Sequence, residues 1–262
     1  MENKKNFFID DQNVHHYIMQ IGDWLRDRLQ EANREGAVLG MSGGIDCSVV
    51  ARLCQSAGVD VKLVMLPDGA SMNNNSMRDA MELINKFGFD HTTVDIKDAC
   101  DAIEKSIIQS TGKPMGDLSR SNIRPRVRMT TLYSIAQDEH AFVLGTGNLD
   151  ERLLGYFTKH GDGAHDLNPL AMITKGEVRT LAKHLGVPEA IINKAPSAGL
   201  EEGQTDEADL GFTYNAMDAF VLNGTSGDPA IDQKINARIQ MSGHKLVAPP
   251  MFNGLQCKGI NG

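Results

Sequence analysis

The chain has 262 residues, 41% hydrophobic and 23% charged, with a formal net charge of −8. The balance is that of a folded globular protein, and its acidity argues against broad nucleic-acid binding, so any anionic ligand needs a local basic pocket. No run of 18 apolar residues is long enough to span a membrane, and the opening MENKKNFFIDDQ lacks the apolar stretch of a secretory signal; a cytoplasmic location is the expectation.

Val14, Ile18, Ile21, Leu25 and Leu29 recur every three or four residues, which predicts an amphipathic helix over 13–34. AVLGM (37–41) reads as a buried strand, and Val49, Val50, Leu53, Cys54 and Ala57 outline the helix after it. The alternation continues through a strand at 61–66, a helix at 76–87, a strand at 91–96, and helices at 99–108 and 123–138. A last strand is read at 141–146. Short apolar strands separated by helices predict an α/β fold: a doubly wound parallel sheet of five or four strands, flanked by helices, with right-handed crossovers. The glycine-rich stretch 155–170 reads as loop, and Thr174 caps a helix that ends at Gly186. Residues 195–208 also read as loop, followed by helices near 207–222 and 228–241 and an irregular tail. The expected organisation is one domain over 1–262, with its α/β core at about 36–186 and a C-terminal loop and helices from 187. Cys47, Cys54, Cys100 and Cys257 form no C-x-x-C pair, and reduced thiols are expected.

The first strand runs into Gly40-Met41-Ser42-Gly43-Gly44-Ile45-Asp46-Cys47-Ser48 and then into a helix. Glycines let a backbone approach an anion closely, and a helix N-terminus offers N–H groups to phosphate. The loop lies at the carboxyl end of a sheet strand, where open α/β sheets bind ligands. Asp46 would repel phosphate unless a cation lies between them, which makes it a candidate magnesium ligand. Neither the Walker pattern nor the G-x-G-x-x-G fingerprint is present.

S-G-G-x-D-[ST] resembles the pyrophosphate loop of the ATP-pyrophosphatases, which use ATP to adenylate an oxygen and release pyrophosphate. Cys47 stands where that group usually has serine, and Ser48 lies beside it to compensate. Three further segments resemble NAD synthetase: 122–129 (NIRPRVRM), 144–170 (with GYFTKHGDGAHDLNPL from Gly155), and 196–207 (PSAGL leading to QTDE). The resemblance covers roughly residues 20 to 250. It implies a Rossmann-like fold of the adenine nucleotide alpha hydrolase type. It also implies amidation of deamido-NAD by ammonia through an NAD-adenylate, with ATP giving AMP and pyrophosphate.

The same resemblance implies ATP contacts from the loop 40–48, Thr146, Lys175 and Ser197. It assigns magnesium to Asp46 and Glu151, and deamido-NAD to Arg126, Lys159, Asp166, His244 and Lys245. Lys175 carries a physical hint of its own, because a cation at a helix start is disfavoured by the dipole. Arg120, Arg124 and Arg128 fall four apart and share one helical face; for Arg120 and Arg124 that face is expected to be solvated. Gly199 replaces an aspartate frequent in the family. The resemblance further implies a homodimer with the dinucleotide site at the subunit interface, and closure of 69–76 and 195–208 over the intermediate. No nucleophilic side chain is required. Helical sequence from residue 13 leaves no room for a glutamine amidotransferase, so free ammonia is expected. Alternatives are another ATP-pyrophosphatase, such as a tRNA thiolase or GMP synthetase, or a nucleotide-binding protein without catalysis.

Overall fold

The computed structural model describes residues 8–69, 75–195, 206–250 and 252. In chain order the elements are α1 (Val14–Glu31), β1 (Gly36–Gly40), α2 (Ile45–Ser56), β2 (Val61–Met65), α3 (Asn75–Phe87) and β3 (His91–Thr93). Then come α4 (Lys97–Thr111), α5 (Asp117–Ser121), α6 (Ile123–Asp138), β4 (Ala141–Leu144) and α7 (Leu149–Leu154). The chain closes with α8 (Lys175–His184), α9 (Glu189–Ile192), α10 (Asp206–Leu210), α11 (Tyr214–Asn223), α12 (Pro229–Ser242) and a short 3-10 turn, Gly243–Lys245.

Four strands pair in parallel in the order β3-β2-β1-β4. The central strand β1 is apolar on both faces. Ala37 and Leu39 pack with Leu63, Met65 and Leu144 beneath α1, α2, α3 and α8. Val38 packs with Val64 and Val143 on the opposite side, under α6 and the edge of α4. Burial on both faces is why the strands read as continuous apolar runs rather than alternating ones. A third cluster joins Leu154 of α7 to Leu210, Phe212, Met217 and Ile235 of the C-terminal helices. Among the described residues no helix is long and apolar enough to cross a membrane.

Strand order decides where a ligand can sit. The chain moves from β1 outward to β2 and β3, then crosses back to place β4 on the other side of β1. The order therefore reverses between β1 and β4, and the loops leaving these two strands open a crevice at the carboxyl edge.

Among the described residues the sheet has four strands, the lower of the two expected numbers, and an isolated parallel bridge, Leu144 to Leu167, extends its β4 side. Other expectations are corrected. β4 stops at Leu144, so Thr146 lies two residues beyond the strand. The helix expected near 207–222 is two helices, broken where Gly211 adopts φ 75°. Arg120 sits on α5, separated by Asn122 from Arg124 and Arg128 on α6. Nor are these arginines merely solvated. Arg120 pairs with Glu104 (2.6 Å), Arg124 with Asp68 (2.6 Å), and Arg128 donates to the Leu66 carbonyl (3.0 Å).

Gly43 is where conformation and packing both demand glycine. Its φ is 78°, and a Cβ there would lie 2.0 Å from the Ser76 carbonyl oxygen at the start of α3. The left-handed penalty alone is about 1 kcal/mol, and the clash is with backbone, which cannot rotate away. Gly43→Ala is expected to lower the melting temperature by roughly 5 °C or more. An unchanged melt in differential scanning calorimetry would show that the α3 start yields instead.

Candidate active site

The loop after β1 ends in a helix start whose free N–H groups suit an anion. Gly44 is the N-cap of α2, and its N–H donates to Ser42 Oγ at 3.3 Å. The amides of the first turn, Ile45 to Cys47, have no helical acceptor and point out of the helix end. Gly40 and Met41 carry the chain off the strand, the Met41 N–H still donating to Val64 O at 2.9 Å. Ser48 is fully buried and donates to the Gly44 carbonyl at 2.7 Å. The Cys47 thiol donates to that same carbonyl at 3.2 Å and lies 3.3 Å from Ser42 Oγ. Both side chains brace the turn from inside rather than reaching outward, so neither stands in for the other at a ligand.

Lys175 holds the centre. Thr174 caps α8 in a full capping box with Glu177, which fixes Lys175 as the first helical residue. Its side chain is 2% exposed, and Nζ lies 2.5 Å from Asp46 Oδ2 and 3.6 Å from Glu151 Oε1. Burial works against the ammonium, but Asp46 and Glu151 outweigh it, so the Lys175 pKa is raised. Partial burial raises the Glu151 pKa as well, against the pull of the Lys175 charge. Asn148 completes the junction. As N-cap of α7 it accepts the Glu151 N–H at 3.1 Å, and its Nδ2 donates to Asp46 Oδ1 at 3.1 Å.

Asp46 and Glu151 thus come from different strand ends and converge on one cationic position. Their oxygens are hard donors, and Glu151 is a partly buried carboxyl that gains from added positive charge. This set fits a magnesium ion, which takes one or two carboxylates and completes its shell with phosphate and water. Among the described residues no group of three or more His, Cys, Asp or Glu side chains could hold a metal ion.

A second group of predicted residues gathers on the glycine-rich loop. Lys159 Nζ donates to the His244 carbonyl at 3.2 Å, and an Arg126 guanidinium nitrogen lies 3.5 Å from the Lys159 carbonyl. Lys245 Nζ donates to the Gly155 and Phe157 carbonyls at 2.6 and 2.7 Å. A cavity of about 210 Å³ runs between Glu151 of the first group and Lys245 of the second, with Thr146, Phe157, His165 and Asn168 in its lining; Arg126, Lys159 and His244 do not line it. Asp166 stands apart from the basic group. Its Oδ2 accepts the Val143 N–H at 2.8 Å and its Oδ1 the Tyr133 hydroxyl at 3.4 Å, continuing the β4 edge. Ser197 and Gly199, the segment 196–205 and residues 70–74 lie outside the described residues.

Several contributors went unread in the sequence. Asn148 had a signal, since Asn-x-x-Glu is a capping-box spacing. His165 packs its ring against Gly145, where a Cβ would lie 2.6 Å from the ring, and burial lowers its pKa. Buried Asp150 accepts the Lys175 N–H at 3.0 Å, and burial, then the Asp218 carboxylate, raises its pKa. Tyr214, 1% exposed, faces Glu151, Asp206 and Lys175. Nothing local marks these residues, because they meet only through the fold.

Comparison with known proteins bears on this arrangement. The NAD synthase family model matches residues 17–249. The NH(3)-dependent NAD(+) synthetase of Carboxydothermus hydrogenoformans is 42% identical over 211 residues, covering 80% of this chain and 86% of that one. Among solved structures, the NMN synthetase of Francisella tularensis superimposes with a TM-score of 0.84 at 38% identity, covering 91% and 98% of the two chains. The NH3-dependent NAD synthetase of Campylobacter jejuni, in complex with the nitrate ion, gives a TM-score of 0.76 at 28% identity, with 91% and 99% covered. With a loop suited to phosphate at the strand-order reversal, and a family match over nearly its whole length, this chain belongs to the NAD synthase family, whose fold it shares and whose members are ligases.

Proposed function

We propose that this chain catalyses the ATP-dependent amidation of deamido-NAD by ammonia, giving NAD, AMP and pyrophosphate through an acyl adenylate. The observation that carries the reading is the convergence of Asp46, Glu151 and buried Lys175 beside the loop 40–48, with Lys245 across one cavity from Glu151. The ammonia-dependent relatives support the choice of nitrogen donor.

A free carboxylate is a poor acyl donor, because oxide would have to leave. The substrate carboxylate therefore attacks the α-phosphorus of ATP, the bond to the bridging oxygen breaks, and pyrophosphate departs. Ammonia then adds to the acyl carbon, and AMP leaves with the electron pair. Such transfers depend on positioning and charge neutralisation more than on covalent help from side chains. The first-turn amides of α2 and the Lys175 ammonium receive the β- and γ-phosphates. Thr146 stands at the mouth of the β4 loop to contact the nucleotide. Asp46 and Glu151 would hold magnesium, which when bound supplies charge neutralisation at the departing pyrophosphate. Arg126, Lys159, His244 and Lys245 orient the phosphate-bearing substrate, and exposed Asp166 remains the proposed ribose or ammonia contact. Ser197 is proposed as a further ATP contact. The proposed working unit is a homodimer; α4, which has no fully buried residue and leaves Ile103 and Ile107 partly exposed, supports an unfilled surface.

One observation favours a second reading of the substrate. The NMN synthetase likeness points to amidation of nicotinate mononucleotide, which has the same reacting carboxylate and lacks the distal adenylate half. Parallel incubations with ATP, magnesium and ammonium should separate the two. Deamido-NAD is expected to give NAD and AMP at the higher kcat/KM; a higher value with nicotinate mononucleotide would transfer the assignment to the mononucleotide. Absence of AMP release with either would sink the ligase reading for both.

The charged centre should be sensitive to single changes. Lys175→Met, Asp46→Asn and Glu151→Gln are each expected to lower kcat by about 10²–10³, the range for losing one preorganised electrostatic group. A wild-type rate in any one removes that residue from the site. Cys47→Ser should leave turnover close to wild type, because the thiol's contacts are within the loop, to the Gly44 carbonyl and Ser42 Oγ; a large loss would reveal a ligand contact for the sulfur.

A further inference from the structure

We infer that α11 is the positioning element of this reaction: Tyr214 and Asp218 hold Lys175 and Glu151 in their reacting arrangement. The inference rests on the roles proposed above for Lys175 and Glu151. Tyr214 and Asp218 are four apart, so they share one face of α11, which is turned toward the start of α8. Both are buried, at 1% and 0% exposure.

Each acts on a different part of the site. The Tyr214 hydroxyl donates to Asp206 Oδ2 at 3.0 Å and stands 3.4 Å from Glu151 Oε1. Its ring lies under the ammonium, with Lys175 Nζ 5.1 Å from the centroid, within range of a cation–π attraction. Asp218 works on the backbone instead. Its Oδ1 is 3.4 Å from the Gly176 N–H, and its charge acts on Asp150, which accepts the Lys175 N–H at 3.0 Å. The first two amides of α8 are therefore held by carboxyls from α7 and α11, which a helix N-terminus favours. Asp150 at the Lys175 N–H, and Asp46, Glu151 and Tyr214 around its ammonium, fix both ends of this lysine, with Asp218 holding the next amide.

A purely structural role predicts a different composition. Buried polar groups cost stability unless paired, and an apolar pair at these positions would pack α11 on α8 without that cost. The polar pair is explained by its targets, since its contacts end on Lys175, on its neighbour Gly176, or on Glu151 and the Asp206 that shares the hydroxyl.

The test uses the full chain with ATP, magnesium, ammonium and whichever nicotinate substrate the wild type prefers. Pyrophosphate–ATP exchange reports adenylation, and steady-state kinetics report the whole reaction. Tyr214→Phe keeps the ring and removes the hydroxyl. It should lower exchange and kcat by about tenfold, the effect of one hydrogen bond to a charged group. It should also raise the magnesium concentration needed for half-maximal rate, while leaving the KM for ammonium unchanged. Asp218→Leu should lower kcat further, and Asp218→Asn, which keeps an acceptor for the Gly176 N–H, should recover most of the loss. Wild-type exchange in Tyr214→Phe overturns the inference, as does a loss that merely tracks the fraction folded by circular dichroism. Should Asp218→Leu not fold, the Tyr214→Phe result still decides. Lys175→Met run alongside separates the two levels. If it is impaired while Tyr214→Phe is not, only the positioning inference fails; if it is unimpaired, the proposed role of Lys175 falls and this inference falls with it.

Discussion

An ammonium that is 2% exposed is stable only where anions surround it, and the Lys175 charge sets the terms for the rest of this site. Removing such an ion from water costs several kcal/mol, and taking away one partner of a buried pair costs about 3–5 kcal/mol because the other is left uncompensated. Here Asp46 comes from the loop after β1, Glu151 from α7 after β4, and the aromatic face from α11. Three segments distant in sequence must converge for one side chain to remain charged.

That demand coincides with the topology. The strand order reverses between β1 and β4, so the crevice between their loops exists before any side chain is considered. Carboxylates collect there, and Lys175 is a cation among them, with the backbone N–H groups of the α2 start nearby. The overall charge of −8 makes this local arrangement necessary, because the global field does not attract an anionic nucleotide. Lys245, across the cavity from Glu151, is held by the Gly155 and Phe157 carbonyls, and Lys159 by the His244 carbonyl.

Where expectation and structure differ, the causes are specific. Arg120 and Arg124 have helical spacing to each other, but a break at Asn122 and the acids Glu104 and Asp68, 16 and 56 residues away, turn a supposed solvated face into ion pairs. Thr146 was placed at a strand end because AFVLGT is apolar, whereas β1 offers partners only as far as Leu144. The helix near 207–222 breaks because Gly211 takes a left-handed conformation that periodicity does not reveal. Cys47 stood out as a departure from pattern, yet its thiol turns inward to a loop carbonyl.

The amino-acid sequence by itself determined the alternation of strands and helices, the glycine loop after the first strand, and the residues that carry the family resemblance. Those signals are local: apolar runs, 3.6-residue periodicity, capping spacings and short motifs are written in neighbouring residues. Only the tertiary structure decided that Lys175 bridges Asp46 and Glu151, that Asn148 ties the two strand-end loops together, and that Tyr214 and Asp218 stand behind them. Charge neutralisation in a buried site depends on distances between groups up to 129 residues apart in the chain, and no local pattern encodes those distances.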